Sequence, residues 1–216
     1  SLPQSNITTD TPMHFGPNIF NLLRNPKLLD VVEKFIGPEI YSNPVQHTRI
    51  KPPENSLTQS LRSVATIGST YWHQDQGVIT ENADESNILT VWFPITEATT
   101  ENGCLVVVPE SHKRGLVRHC FSDAFTGITK KTIDSNQVPL PMKPGDVLFM
   151  TRLTQHSSLP NVSNQIRWSF DLRYNPIGQA TGREVFPGFI ARSKSNPESE
   201  MIDPNSWLKS WEHARL

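Results

Sequence analysis

The sequence predicts a mainly β domain, a sandwich or jelly roll of short strands with helices packed outside. Three observations carry this. The 216 residues suffice for one substantial core, and no repeat or shift in composition divides them, so 1–216 reads as a single domain. The 18 prolines suit a loop-rich fold of short strands better than a helical bundle. Strand-like runs separated by turn signals follow a short helical stretch.

Each element has its own warrant. Residues 1–17 are polar and punctuated by proline, an extended lead-in. Ile19, Leu22 and Leu23, then Leu28, Leu29, Val32 and Phe35, recur at helical spacing. Pro26 opens the second helix after Asn25, and Gly37-Pro38 closes it. A strand is expected over about 39–50, ended by Pro52-Pro53, and 54–62 reads as a polar loop. The run 64–67 leads into Tyr71-Trp72-His73-Gln74-Asp75-Gln76-Gly77. Residues 78–87 are polar and acidic, which predicts a flexible loop beside that stretch. A strand over 88–96 follows. Asn102-Gly103 marks a tight turn before 104–108, a strand buried on both faces. Residues 109–137 are mixed. Pro144-Gly145-Asp146 turns into a strand over 147–150. Strands over 154–160 and 165–174 are expected to form a hairpin around Asn161-Val162-Ser163-Asn164. From about Pro204 a helix sets Trp207 and Trp211 on one face.

Charge and composition narrow the partners. Twenty basic and 21 acidic residues leave a net charge of -1, which gives no electrostatic reason to expect nucleic acid or an anionic membrane. The longest apolar runs, such as Leu105-Val106-Val107-Val108, are too short to span a bilayer. No signal peptide is visible, and Cys104 and Cys120 stand in no metal-type spacing, so a reducing, cytoplasmic setting is expected. Asn6-Ile7-Thr8 and Asn161-Val162-Ser163 match the glycosylation pattern and are read as chance.

The chemistry concentrates at His73-x-Asp75. In an extended chain, residues two apart point to one side, so the imidazole and the carboxylate converge. They make two thirds of the 2-His-1-carboxylate arrangement that holds iron(II) with open positions; the plain alternative is a hydrogen-bonded surface pair. The hairpin supplies the second histidine. If its turn closes symmetrically, His156 faces Ser169 and Ser158 faces Arg167. These four then share a face, while Ile166, Trp168, Phe170 and Leu172 lie on the other, under an outer layer of helices. Arginine suits a carboxylate because its planar fork makes two parallel hydrogen bonds, and a serine opposite can donate a third. A metal with an arginine-anchored carboxylate explains His73, Asp75, His156 and Arg167 together; the alternative is a core histidine and a structural ion pair. His14, His47, His112, His119 and His213 read as structural.

Several stretches resemble the phytanoyl-CoA dioxygenase (PhyH) family of iron(II)/2-oxoglutarate-dependent oxygenases. They are Trp72-His73-Gln74-Asp75, Asn102-Gly103-Cys104-Leu105-Val106-Val107-Val108-Pro109 with Ser111-His112-Lys113, Pro144-Gly145-Asp146-Val147-Leu148-Phe149, His156 through Arg167, and Phe186-Pro187-Gly188-Phe189-Ile190-Ala191-Arg192-Ser193. The resemblance runs from about residue 40 to the C-terminus. It implies a double-stranded β-helix, a jelly-roll barrel with helices against one sheet. It implies His73, Asp75 and His156 as iron ligands, and Arg167 on the distal carboxylate of 2-oxoglutarate with Ser158 assisting. It puts Lys51 and Trp92 near that cosubstrate. With O2, such a site oxidises a C–H bond of a small molecule and releases succinate and CO2. Related halogenases carry a small residue where this chain has Asp75, so hydroxylation, or a related desaturation or ring closure, is implied. Two departures stand out. Glu110 occupies a position where the family often has glycine. Family members usually begin with a further strand and helix ahead of the first helix read here. A zinc or other divalent-metal cupin-type hydrolase or isomerase, and a non-catalytic jelly-roll binding module, remain as alternatives. The prime substrate is not legible; loops over 54–70, 78–87 and 120–138 are expected to contact it.

Overall fold

The computed structural model describes residues 16–58, 69–121, 126–129, 133 and 135–214. In chain order the elements are α1 (Pro17–Leu23), α2 (Pro26–Ile36), β1 (Glu39–Ser42), β2 (His47–Lys51), β3 (Leu89–Pro94), β4 (Leu105–Val107), β5 (Cys120–Phe121), β6 (Thr126–Gly127), β7 (Val138–Leu140), β8 (Leu148–Thr151), β9 (His156–Ser158), β10 (Arg167–Pro176), β11 (Phe189–Ser193) and α3 (Pro204–Ala214). Among the described residues no helix is long and apolar enough to cross a membrane. The chain divides into two compact units. One comprises His47–Val78 and Val91–Asp171; the other comprises the described residues up to Gln46, Ile79–Thr90 and Leu172 onward.

In the second unit the helices start where the sequence places them. Asn25 Oδ1 accepts from the backbone N–H groups of Lys27 and Leu28 at 3.0 and 3.4 Å, satisfying two donors that the first turn of α2 leaves open. β1 pairs antiparallel with β11 and with Tyr174–Pro176, the end of β10. The core is aromatic: Phe20 lies 4.9 Å from Phe189 and 5.8 Å from Trp207, and Trp211 lies 5.8 Å from Phe186, ring centre to ring centre. Trp207 and Trp211, four apart on α3, both point into this cluster, as their spacing requires. The segment expected as a flexible loop over 78–87 instead carries a 3-10 turn, Glu81–Ala83. It is tied to the 179–182 stretch: Thr80 N–H donates to Gly182 O at 3.4 Å, Ser86 Oγ to Ala180 O at 2.7 Å, and Asn87 N–H to Gln179 Oε1 at 2.7 Å.

The strand expected over 39–50 is two strands, β1 and β2. Pro44 has no N–H to give to a ladder, and Asn43 Oδ1 accepts from Val45 N–H at 2.9 Å, so the chain turns there on local bonds.

In the first unit, one sheet runs β2–β10–β3–β8 and a second runs β7–β4–β9. The core of this unit is Trp92, Ala98, Cys104, Leu105 and Met150. The hairpin expected over 154–174 does not form. β9 pairs with β4, setting Val107 opposite His156 and Leu105 opposite Ser158. Arg167–Asp171 pair with β2, setting Lys51 opposite Arg167 and Arg49 opposite Ser169. The connection carries the chain from one sheet to the other because Asn161 fastens it: its Nδ2 donates to the carbonyls of Lys51 at 2.9 Å and Gln165 at 2.7 Å. The face assignment needs a correction as well. Phe170 and Leu172 are buried, but Ile166 and Trp168 are exposed rather than covered by helices.

Glu110 is the only non-glycine described residue with positive φ, at 59°. An L-residue in this left-handed region loses about 1–2 kcal/mol to the clash of its Cβ with the next carbonyl. Its ion pair with Lys113 is exposed on both sides and offsets little of that. Glu110→Gly is expected to stabilise the protein by about 0.5–1 kcal/mol after the added freedom of the unfolded chain. Urea unfolding checks this; an unchanged or lower midpoint would show that the ion pair or the unfolded state dominates.

Candidate metal centre

His73 and His156 face each other across an isolated antiparallel bridge. Each donates its backbone N–H to the other's carbonyl at 3.0 Å. This reciprocal pair sets the two residues directly opposite, and their rings lie 4.2 Å apart, centre to centre. Each ring is then turned by the same device. His73 Nδ1 meets the Tyr71 carbonyl at 2.8 Å, and His156 Nδ1 meets the Thr154 carbonyl at 3.0 Å. A carbonyl only accepts, so the proton sits on Nδ1 and the lone pair on Nε2. Burial pushes His156 down to about 4, with the nearby His73 adding to the shift, which keeps that ring a neutral donor.

Asp75 completes the group. It opens a 3-10 turn, Asp75–Val78, and its Oδ1 lies 3.7 Å from His73 Nε2. One donor atom from each of His73, Asp75 and His156 lies within 4.8 Å of the others, and all three residues are buried. Two imidazoles and a carboxylate at this spacing can hold a divalent cation on one side and leave its other positions open. Ser111 braces β9 next to the site: its Oγ accepts from Gln155 N–H at 2.9 Å.

Ser158 follows His156 two residues along β9, on the same side and about 7 Å away along the strand. Its Oγ accepts from Lys51 Nζ at 2.7 Å and from Thr70 N–H at 2.9 Å. Lys51 also donates to the Leu159 carbonyl at 2.5 Å. Opposite Lys51 stands Arg167, 1% exposed, with its guanidinium carbon 5.7 Å from the centre of the Trp92 ring. Arg167 donates to Ser169 Oγ, but its Nε, fully buried, has no hydrogen-bond partner among the described residues. Burial and the Arg167 charge bring Lys51 down to about 6; burial and Arg49 bring Arg167 down to about 10. A buried guanidinium with an orphan donor, beside a desolvated amine, is an incomplete arrangement that a carboxylate fits. Gly103 keeps the space for the Lys51 side chain. Its φ is +92°, and a Cβ there would lie 2.6 Å from both the Leu159 carbonyl oxygen and Lys51 Cδ.

All seven residues singled out in the sequence therefore lie in one unit. His73, Asp75 and His156 form one cluster, and Lys51, Ser158, Arg167 and Trp92 form a second cluster joined to it by β9. Three contributors were not legible. Gln74 and His119 support the His73–Asp75 stretch, and Asn161 fixes the carbonyl of Lys51. Only Asn161, a residue type that favours turns, left a signal.

The phytanoyl-CoA dioxygenase (PhyH) family pattern matches residues 4–169. The chain belongs to this family. Methylphosphonate hydroxylase of Gimesia maris is 36% identical over 100 residues, which cover 46% of this chain and 38% of that protein. The 1-deoxypentalenic acid 11-beta-hydroxylase of Streptomyces arenae is 29% identical over 187 residues, 80% of this chain and 62% of that protein. The chain thus spans less than two thirds of the length of these curated relatives. The crystal structure of EvdO2 from Micromonospora carbonacea var. aurantiaca complexed with 2-oxoglutarate superposes with a TM-score of 0.60 at 22% identity, covering 76% of this chain and 65% of that one. The fold is accordingly mainly β with flanking helices, of the double-stranded β-helix type.

The Lys51 amine carries a pH signature. Its folded value of about 6 lies below the unfolded value near 10.4. Between these, the unfolded chain binds more protons, so stability rises with pH; the cost of burying the charged amine is fully present below about pH 6 and gone above about pH 10. The stability of the wild type relative to Lys51→Met should therefore climb from pH 6 to pH 10, by at most about 1.4 kcal/mol per pH unit. Urea unfolding of both proteins across that range measures it. Parallel curves would mean that Lys51 stays charged in the folded protein.

Proposed function

We infer that the chain is a non-haem iron(II)- and 2-oxoglutarate-dependent oxygenase that oxidises, by hydroxylation, an unactivated C–H bond of a small molecule, releasing succinate and CO2. One observation carries the reading. The desolvated Lys51 amine, opposite a buried Arg167 guanidinium with an unsatisfied donor, is bonded to Ser158, two residues along β9 from the His156 of a buried two-histidine, one-carboxylate cluster. A five-carbon keto diacid has a chelating end for such a cluster and a distal carboxylate for such a cation pair. A zinc hydrolase or isomerase, or a simple binding module, leaves Arg167 and Lys51 without a task. Relatives support the class: methylphosphonate hydroxylase and 1-deoxypentalenic acid 11-beta-hydroxylase act on small molecules, and EvdO2 is complexed with 2-oxoglutarate.

When bound, iron, 2-oxoglutarate and O2 together supply oxidative decarboxylation coupled to C–H oxidation. The chain supplies placement. His73 and His156 would present Nε2 and Asp75 a carboxylate to the metal, a donor set that favours hydroxylation. Arg167, flanked by Trp92, would hold the distal carboxylate, Ser158 would add a hydroxyl, and the Lys51 amine would take up a proton at Nζ beside the anion. We further propose that residues 1–216 work as a single oxygenase domain. Its setting is a reducing cytoplasm, consistent with the unpaired Cys104 and Cys120, without nucleic-acid or membrane partners.

His73→Ala or His156→Ala should abolish iron-dependent 2-oxoglutarate turnover while the far-ultraviolet dichroism stays that of the folded protein. Full turnover in metal-checked variants would overturn the ligand set. Arg167 gives an independent test. Arg167→Lys keeps the charge and loses the planar fork; Arg167→Gln loses both. Leaving a buried carboxylate unpaired costs about 2–5 kcal/mol, or about 30-fold to several-thousand-fold in affinity. The 2-oxoglutarate Michaelis constant should rise from wild type to Lys to Gln at matched iron occupancy. Equal constants would make Arg167 structural and bring the hydrolase or isomerase reading forward.

A further inference from the structure

Gln74 lies between the two donors of the His73–Asp75 stretch and is fully buried. Its side chain makes three hydrogen bonds to main chain: Nε2 donates to the carbonyls of Gly115 at 2.8 Å and Leu153 at 2.7 Å, and Oε1 accepts from Val117 N–H at 2.8 Å. Its own backbone N–H donates to His119 Nε2 at 2.9 Å. Since Nε2 accepts, the proton of the His119 ring is on Nδ1, which meets the Val117 carbonyl at 2.9 Å. His119 is therefore oriented as His73 and His156 are, by the carbonyl two residues back. Its Nε2 lone pair meets a peptide N–H instead of pointing into the cluster.

Gly77 packs closely against the same ring. A Cβ on Gly77 would fall 2.2, 2.3 and 2.4 Å from His119 Cε1, Nδ1 and Nε2, so only glycine leaves the ring in place. Gly77 also donates its N–H to the Gln74 carbonyl at 3.0 Å. Both peptide planes between the two donors are thus held, the 73–74 plane by His119 and the 74–75 plane by Gly77. Peptide planes are rigid, so the angle between the two donor side chains depends on the soft dihedrals that link these planes.

We propose that His119 is a positioning residue for the metal centre, acting through the Gln74 backbone N–H to fix how His73 and Asp75 present their ligand atoms. This rests on the reading of His73, Asp75 and His156 as a metal site. Partners outside the ligand set typically change metal affinity about 10- to 100-fold when removed.

Cobalt(II) serves as a probe that needs no turnover, with its dissociation constant and visible absorption read on the purified chain. His119→Leu fills space without an acceptor. His119→Gln offers an oxygen to the same N–H. Gly77→Ala displaces the ring while leaving His119 in the sequence. His119→Leu and Gly77→Ala are expected to weaken cobalt binding about 10- to 100-fold and to change its absorption; His119→Gln is expected to stay close to wild type. Wild-type affinity and spectrum in His119→Leu would overturn the proposal, as would equal losses in His119→Leu and His119→Gln, since the acceptor would then not be the cause. Should His119→Leu fail to fold, as judged by circular dichroism, the remaining pair decides: Gly77→Ala weakened with His119→Gln intact supports it, and both intact overturns it. A wild-type protein whose cobalt binding is absent, or indifferent to His73→Ala, would overturn the metal reading itself, and the role of His119 with it.

Discussion

The site depends on one reciprocal backbone contact, the pair of hydrogen bonds exchanged between His73 and His156. It is a single bridge that joins the first residue of β9 to a residue outside any strand, yet it decides which side chains face each other. Once those residues are opposite, each imidazole needs only a carbonyl two residues back to choose its tautomer and its direction. The chain thus builds a pair of aligned lone pairs almost wholly from main-chain geometry, which is stiffer and less easily repacked than a side-chain network. Asp75 cannot be placed by the same bridge, because the chain leaves the extended conformation just there. The Gln74 side chain, the His119 ring and the close approach of Gly77 take over where the bridge ends.

A second constraint is electrostatic. Lys51 and Arg167 stand opposite each other on β2 and β10, and burial penalises both charges before their mutual repulsion is counted. The fold tolerates this through neutral acceptors: Ser158 Oγ and the Leu159 carbonyl for the amine, Ser169 Oγ for the guanidinium. Neutral acceptors hold both groups in position without adding a counter-charge, so the Arg167 charge and burial keep the Lys51 amine neutral, and a carboxylate placed between them would let it take up a proton.

Much of this was readable from the sequence, and the limits follow from the range of the forces involved. The starts of α1 and α2, and the facing of Trp207 and Trp211, were legible because prolines, an asparagine cap and a four-residue spacing act within one or two turns. His73 and Asp75 were legible as a pair from their spacing, although the strand period behind that expectation fails at Asp75, which opens a 3-10 turn. The partner of β9 was not, because strand pairing is set by residues distant in sequence: Leu105–Val107 win β9, and His47–Lys51 win β10. The expected facing of His156 with Ser169 and of Ser158 with Arg167 is absent with the hairpin; instead His156 meets His73, and Ser158 bonds Lys51, which stands opposite Arg167. The break at Pro44 was overlooked because the run of strand-forming residues on either side outweighed one missing N–H. His119 had no local signal at all: its role exists only through a glycine and a glutamine more than 40 residues earlier.

The Asn161 latch has a bearing on where this protein can be made. Asn161-Val162-Ser163 is an acceptor pattern for an oligosaccharide, yet its side-chain nitrogen is spent on two carbonyls and the residue is wholly buried. A sugar transferred to the nascent chain in a secretory pathway would occupy the nitrogen that joins the end of β2 to the start of β10. It would remove both bonds with which Asn161 ties the connection between the sheets to the end of β2. Production routed through such a compartment would yield glycosylated, misfolded chain, whereas synthesis away from the oligosaccharide machinery leaves the latch free to close.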